Sequence, residues 1–277
     1  MDTKDKFLAL EDYLKDLLKE DVAIAFSGGV DSTLLLHMCI DAAKKNGTHV
    51  YAYTVHSDMH PLADIGHAKR YALDAGVIHT VLTVDELNEA GIRNNPVDRC
   101  YRCKYALFSK IKDSAARFGI RNIIEGTNED DLHVYRPGLK ALSELSILSP
   151  LARFHITKDE VRYLAGQKGI SVAKRPSSPC MATRFPYGTH LTYDLMKKVD
   201  RAEASLREQG FTNVRVRVHG NIARIETDPE SMGRILQMRS ALASGLKEIG
   251  VDYVTLDLEG FRSGSMDINI KNELKQD

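Results

Sequence analysis

Apolar positions in the first two thirds of the chain fall into short β-rich runs separated by stretches with helical spacing. Residues 22–26 form the first such run, and residues 33–41 follow it with one apolar face. Further runs at 50–55, 80–84 and 122–125 predict strands, while 64–75 and 103–118 predict helices. Thr157-Lys158-Asp159-Glu160 reads as a capping box that opens a helix, which Gly169 can end. This alternation predicts an α/β fold built on a doubly wound parallel sheet. Residues 173–189, with Pro176, Pro179, Pro186 and Gly188, read as a linker. Past it the pattern changes to a helix at 191–209, strands at 214–218 and 222–226 around a Gly220-Asn221 turn, a helix at 232–249 and a strand at 253–258. Two domains are therefore expected, residues 1–185 and a smaller α+β unit at 186–277. Its hairpin sets Arg215, Arg217 and Arg224 opposite valines and isoleucines, a pattern that fits a solvated face as well as a binding one.

Between the first strand and the first helix stands Ser27-Gly28-Gly29-Val30-Asp31-Ser32. Two glycines let the backbone turn tightly and approach a ligand, so that successive N–H groups and a helix N-terminus face one set of phosphate oxygens. Ser27 and Ser32 add hydroxyls. Asp31 would repel phosphate, so its expected work is to hold magnesium or to fix the shape of the loop. No lysine follows Gly29 as a Walker A loop requires, and no third glycine completes a dinucleotide fingerprint. The spelling resembles instead the SGGxDS loop of the ATP pyrophosphatase superfamily, enzymes that cleave ATP between the α and β phosphates.

Charge and composition narrow the class further. Lys plus Arg and Asp plus Glu are both 38 in 277 residues, which supplies no overall field for nucleic acid or an anionic membrane. No apolar run reaches the length of a membrane span, and the polar N-terminus does not open like a signal peptide. A cytoplasmic enzyme is expected, with its four cysteines available for chemistry other than disulfides. Cys39, on the helix after the loop, reads as core. Cys100-Tyr101-Arg102-Cys103 brings two thiols within reach of one metal or cluster, and Cys180 lies far away in the Pro-rich stretch. By itself a C-x-x-C stands equally for half a zinc site, a redox pair or coincidence. His37, His49 and His219 have no metal-ligand spacing to one another and read as structural.

Taken together, the phosphate loop, Tyr135-Arg136-Pro137-Gly138-Leu139-Lys140, Arg184-Phe185-Pro186-Tyr187-Gly188-Thr189, Val214-Arg215-Val216-Arg217, Ala223-Arg224-Ile225-Glu226 and Gly260-Phe261-Arg262-Ser263-Gly264 resemble the LarE family of ATP-dependent sulfur transferases over nearly the whole chain. The resemblance implies adenylylation of a carboxylate on a pyridinium-dicarboxylate mononucleotide, release of pyrophosphate, and replacement of oxygen by sulfur. It assigns Ser27, Gly28, Gly29, Asp31, Ser32 and Gly126 to ATP and pyrophosphate, Lys104 to charge developing on the phosphates, and Arg184, Arg215 and Arg217 to the substrate. In one branch of the family the cysteine matching Cys180 gives up its own sulfur. The cysteines at 100 and 103 resemble another branch, in which Cys100, Cys103 and Cys180 hold a [4Fe-4S] cluster with one open iron that carries sulfide. Glu129, Asp130 and Glu226 are the expected magnesium ligands, although Arg234 stands where an acidic partner of Glu226 is expected. A sulfide donor and a homo-oligomer are implied as partners. A tRNA thiolase would share the loop and the cluster, but the balanced charge and the lack of paired zinc motifs speak against it. An ammonia-using amidotransferase or a non-catalytic nucleotide sensor are further alternatives that an assay of pyrophosphate and product would separate.

Overall fold

Strand β1 (Val22–Ala25) alternates its side chains between two separate cores. Val22 and Ile24 pack with Leu34, Leu35 and Leu36 of α2 (Val30–Asn46) and with Leu10 and Leu14 of α1 (Thr3–Leu17). Ala23 faces the other way, into a core with Phe108, Ile111 and Leu142. Both sides of the sheet are thus covered by helices, as a parallel sheet requires. The computed structural model describes residues 2–59, 62–134, 136–170, 179–262 and 264–267, with 62–65 as backbone only. Tyr135, Ser263 and residues 173–178 of the expected linker, including Pro176, lie outside the described residues.

The remaining elements of the first unit follow in order: β2 (Val50–His56), α3 (Leu62–Asp74), β3 (Ile78–Thr83), the short α4 (Glu86–Glu89), α5 (Arg99–Ala116), β4 (Asn122–Ile124), α6 (Glu129–Leu132), α7 (Gly138–Glu144), α8 (Pro150–Arg153) and α9 (Lys158–Gln167). The strands pair in parallel in the order β3-β2-β1-β4. The chain thus builds outward from β1 to β3, then returns to place β4 on the other side of β1. The expected doubly wound sheet is present. Hydrophobic spacing had not drawn attention to α1, whose Leu10 and Leu14 are buried and whose first turn is capped by Asp2 accepting from the Asp5 N–H at 2.8 Å.

The second compact unit comprises Arg93–Val97 and the chain from Pro179 onward. The division drawn from composition at 185/186 falls inside it. Residues 93–97 belong there because Asn95 Nδ2 donates to the Phe185 and Pro186 carbonyls, at 3.1 and 2.8 Å, and Arg93 O accepts from the Leu191 N–H at 2.7 Å. The unit contains α10 (Tyr193–Glu208), an antiparallel pair β5 (Val214–His219) and β6 (Ile222–Thr227), α11 (Met232–Gln237), α12 (Arg239–Lys247) and β7 (Tyr253–Leu256), which runs parallel to β6. The single helix expected at 232–249 is two. Met238 leaves helical geometry at φ −92° and ψ 7° with no glycine or proline to mark the break, so apolar spacing reads straight through it.

A fully buried carboxylate, Glu203 of α10, ties this unit together. Arg184 donates to it from Nε at 2.9 Å and Nη2 at 2.8 Å, Arg207 from Nη2 at 2.8 Å, and the Val216 N–H at 3.0 Å. Four donors saturate the two oxygens. Burial alone would push the carboxyl up, but the hydrogen bonds and charge of Arg184 and the Val216 N–H outweigh it and hold it below the usual carboxylate range. A carboxyl whose folded pKa is depressed stabilises the fold above its unfolded value and loses that contribution as pH falls through the folded one. Glu203→Gln is therefore expected to cost about 3 kcal/mol at neutral pH, measured by urea unfolding. The difference from wild type should shrink once the pH is taken below about 4.

Candidate functional site

At the end of β1 the chain enters the phosphate loop. Gly28 has φ +71°, which favours glycine, and a Cβ there would also crowd Ala68 at 3.3 Å. Gly29 is the N-cap of α2 and has no side chain to cap it. The first N–H groups of α2 are consequently left directed out of the helix. Ser27 and Ser32 approach through their hydroxyls at 3.1 Å, the Gly29 N–H donates to Ser27 Oγ at 3.3 Å, and Ser32 Oγ donates to Gly29 O at 3.2 Å. The hydroxyls therefore shape the loop as well as line it.

Strand order reverses between β1 and β4, and the loop after β4 meets the phosphate loop at that point. Open parallel sheets bind ligands in the crevice at such a reversal. Contact between the loops is close: a Cβ on Gly126 would stand 3.0 Å from the Ser32 backbone nitrogen and 3.1 Å from Asp31 Cβ. Just beyond, Asn128 Nδ2 donates to Asp31 Oδ1 at 3.0 Å, and Lys158, at the start of α9, pairs with Asp31 Oδ2. On the β4 side, Glu125 is buried and accepts from the Thr127 N–H and Oγ1, at 3.0 and 2.8 Å, and from Ser149 Oγ. Lys104 of α5 places its ammonium 3.7 Å from Glu125 Oε2. Its stem lies against Gly138, where a Cβ would come within 2.9 Å of Lys104 Cδ. That contact accounts for one glycine of the 135–140 motif.

The expected magnesium ligands separate. Asp31 receives two donors and keeps lone-pair directions for a cation, so its environment fits magnesium. Glu129 is held between His133 Nε2 at 2.8 Å and His155 Nδ1 at 3.0 Å, whose hydrogen bonds, His133 first, keep its carboxyl below the usual range. Asp130 accepts the Lys158 backbone N–H at 2.7 Å. Glu226 is fully buried, and its oxygens accept from Arg217 Nε and Nη2 (3.0 and 2.9 Å), Arg224 Nη2 (3.0 Å) and Ser265 Oγ (2.7 Å). Four donors engage the two Glu226 oxygens, whereas Asp31 has two. Arg234 lies elsewhere, over the Phe211 ring at 4.7 Å.

The hairpin arginines are not a solvated face. Arg217 is 5% exposed and turned onto Glu226 and the Thr183 carbonyl, the latter at 2.9 Å. Arg184, 2% exposed, is turned onto Glu203, with Nη1 reaching Pro179 O at 3.1 Å and Thr183 Oγ1 at 2.9 Å. Both hold the second unit together through these contacts. Arg215 is half-buried, stacked 5.3 Å from the Phe261 ring. Burial, then the charge of Arg184, lower its pKa from the ordinary arginine value. A guanidinium among other cations gains from a bound anion.

Among the cysteines, Cys39 is buried and its thiol is pushed up to about 12 by burial, as befits a core residue. Cys100 and Cys103 lie at the start of α5, one turn apart, the first exposed and the second half-buried. Cys103 Sγ donates at 3.1 Å to Glu86, a fully buried carboxylate that also accepts from Ser57 Oγ. Cys180, half-buried, is the N-cap of a short 3-10 turn (Met181–Arg184) in the second unit. Among the described residues no three His, Cys, Asp or Glu side chains are grouped to hold a metal ion. Lys158, Asn128, Glu125 and Glu86 were not read from the sequence as site residues. Lys158 carried a signal in its place beside the capping-box threonine, and Asn128 in its place just after a strand end.

A parallel sheet with this loop at its switch point is the architecture of an ATP pyrophosphatase, and the family model for the PP-loop domain matches residues 3–133. The chain is 39% identical over 253 residues to the pyridinium-3,5-bisthiocarboxylic acid mononucleotide synthase of Lactiplantibacillus plantarum, covering 91% of this chain and 90% of that one. It is 38% identical over 245 residues to an uncharacterized protein of Synechocystis, covering 88% and 90%, and 30% identical over 260 residues to one of Methanocaldococcus jannaschii, covering 93% and 98%. The chain belongs to the LarE family and is an ATP-dependent sulfur transferase. Among the described residues no helix is long and apolar enough to cross a membrane. Gly126→Ala should lower kcat/KM for ATP about tenfold, since overpacking of this kind costs about 1–3 kcal/mol, with the fold retained; pyrophosphate release and circular dichroism together check this.

Proposed function

We propose that the protein converts a carboxylate of a pyridinium-dicarboxylate mononucleotide into a thiocarboxylate. The observation that carries this reading is the near full-length similarity to the synthase from Lactiplantibacillus plantarum, whose name states such a product. A carboxylate oxygen attacks the α-phosphorus of ATP and pyrophosphate leaves, giving an acyl adenylate. Sulfide then attacks the acyl carbon, and AMP departs with the original carboxylate oxygen. A carboxylate resists nucleophiles, and the first step replaces a poor leaving group with a good one.

Residues of the first unit support that step. N–H groups at the start of α2 and the serine hydroxyls would face the departing pyrophosphate. Asp31 would hold magnesium, and the Lys104 ammonium would stabilise charge on the phosphates, with Glu125 restraining it until an anion competes. In the second unit Arg215 is the arginine best suited to an anionic substrate group.

For the sulfur source we favour a [4Fe-4S] cluster held by Cys100, Cys103 and Cys180. When bound, it supplies an iron without a protein ligand that can present hydrosulfide. Two thiols one helical turn apart, one of them exposed, suit two corners of such a cluster. Glu86 stands ready to accept the Cys103 proton as that thiol becomes a thiolate ligand. The alternative is sacrifice of the Cys180 sulfur. A sulfide donor belongs to the cluster reading and a homo-oligomeric assembly to the family resemblance, whereas the balanced charge does not favour a tRNA substrate.

Cys180→Ala is expected to abolish sulfur transfer while pyrophosphate release continues within about threefold of wild type, because the ATP-cleaving groups are untouched. Cys100→Ala discriminates between sulfur sources: loss of turnover and of the iron content of anaerobically purified protein supports the cluster. Normal single-turnover transfer by Cys100→Ala would instead establish self-sacrifice. A product of unchanged mass after incubation with ATP, sulfide and the mononucleotide would reject the substrate assignment.

A further inference from the structure

Lys158 has no part in the reading above, yet its ammonium is in contact with the one acidic side chain of the phosphate loop. Its backbone is firmly placed. The Lys158 N–H donates to Asp130 Oδ2 at 2.7 Å, and the preceding Thr157 forms a reciprocal capping box with Glu160, itself tied to Thr3 at 2.8 Å and to Lys6 at 3.0 Å. The Glu129 N–H donates to the Ile156 carbonyl at 2.9 Å, stitching the same segment to the loop after β4. Its side chain is placed more loosely, about a third exposed, on a stem with four rotatable bonds. Asp31, in contrast, is held: Asn128 fixes Oδ1 and leaves Oδ2 to the lysine.

Magnesium ligated by Asp31 would set a divalent charge beside the ammonium already paired with Oδ2, a like-charge contact that favours departure of the lysine, and magnesium brings ATP oxygens with it. We propose that Lys158 has two stations: it neutralises Asp31 when no metal is present, and it moves to a phosphate oxygen of ATP once magnesium takes its place. The exchange keeps a cation on Asp31 at every stage and delivers a second positive charge to the phosphates only when metal and nucleotide are both bound. Lys158 is thereby a phosphate-binding residue whose contribution is conditional on magnesium. This deepens the assignment of magnesium to Asp31 and does not depend on the source of sulfur.

Calorimetric or fluorescence titration with α,β-methylene-ATP, which cannot be cleaved at the α–β position, tests the exchange without turnover. In wild type, magnesium should tighten the analogue strongly. In Lys158→Met the affinity with magnesium should fall about tenfold, the worth of one charge-assisted hydrogen bond, while the affinity in EDTA changes by less than about twofold. Lys158→Arg should retain most of the magnesium effect. A purely structural lysine would shift both conditions equally, and a loss of equal size in EDTA, or no loss in either, overturns the proposal. Thermal melting establishes that each variant is folded, and Lys158→Gln replaces Lys158→Met if the latter is not. Failure of the sulfur-transfer reading would leave this outcome unchanged, because no substrate carboxylate or sulfide is present.

Discussion

Reversal of strand order beside β1 is the constraint on which the chemistry of the first unit depends. Because β2 and β4 flank β1 and their connections leave in opposite directions, the loops after β1 and β4 face each other across a crevice with no crossover to fill it. The phosphate loop, Gly126 and the Asp31–Asn128 contact converge there. Helix α2 begins at this edge, so its unsatisfied N–H groups are presented to the crevice. Loop closure is tight enough that a side chain at Gly28 or Gly126 would crowd Ala68 or the Asp31-Ser32 backbone, and through Asn128 the β4 loop fixes the carboxylate of Asp31.

A second principle organises the smaller unit. Two fully buried glutamates, Glu203 and Glu226, each accept four donors, and between them they engage Arg184, Arg207, Arg217 and Arg224. Removing a charge from water is costly, and only full satisfaction of its hydrogen-bonding capacity makes such a core stable. The consequence is a rigid cationic framework in which most guanidiniums face inward. Arg215 stands apart, with an aromatic ring on one side and cationic neighbours behind it.

Much of this was legible in the chain. Alternation of β-rich runs with helical spacing led to the parallel sheet, and the Ser-Gly-Gly-x-Asp-Ser spelling between a strand and a helix led to the phosphate loop, because both signals arise from local backbone chemistry. Charge partners were not legible. Arg215 and Arg217 alternate identically with valines, yet one lies beside Phe261 and the other inside an ion pair with a residue on the neighbouring strand. Nor did the break at Met238 leave a trace, since no glycine or proline marks it.

The sequence by itself determined the class of fold, the nucleotide loop and the inventory of thiols, since each is written in residues close to one another along the chain. Tertiary structure decided which groups meet. Lys158 reaches Asp31 from 127 positions away, and Glu226 is engaged by arginines on two strands and a distant serine. Such pairings follow from strand order and register, which place side chains together by geometry that no local pattern encodes.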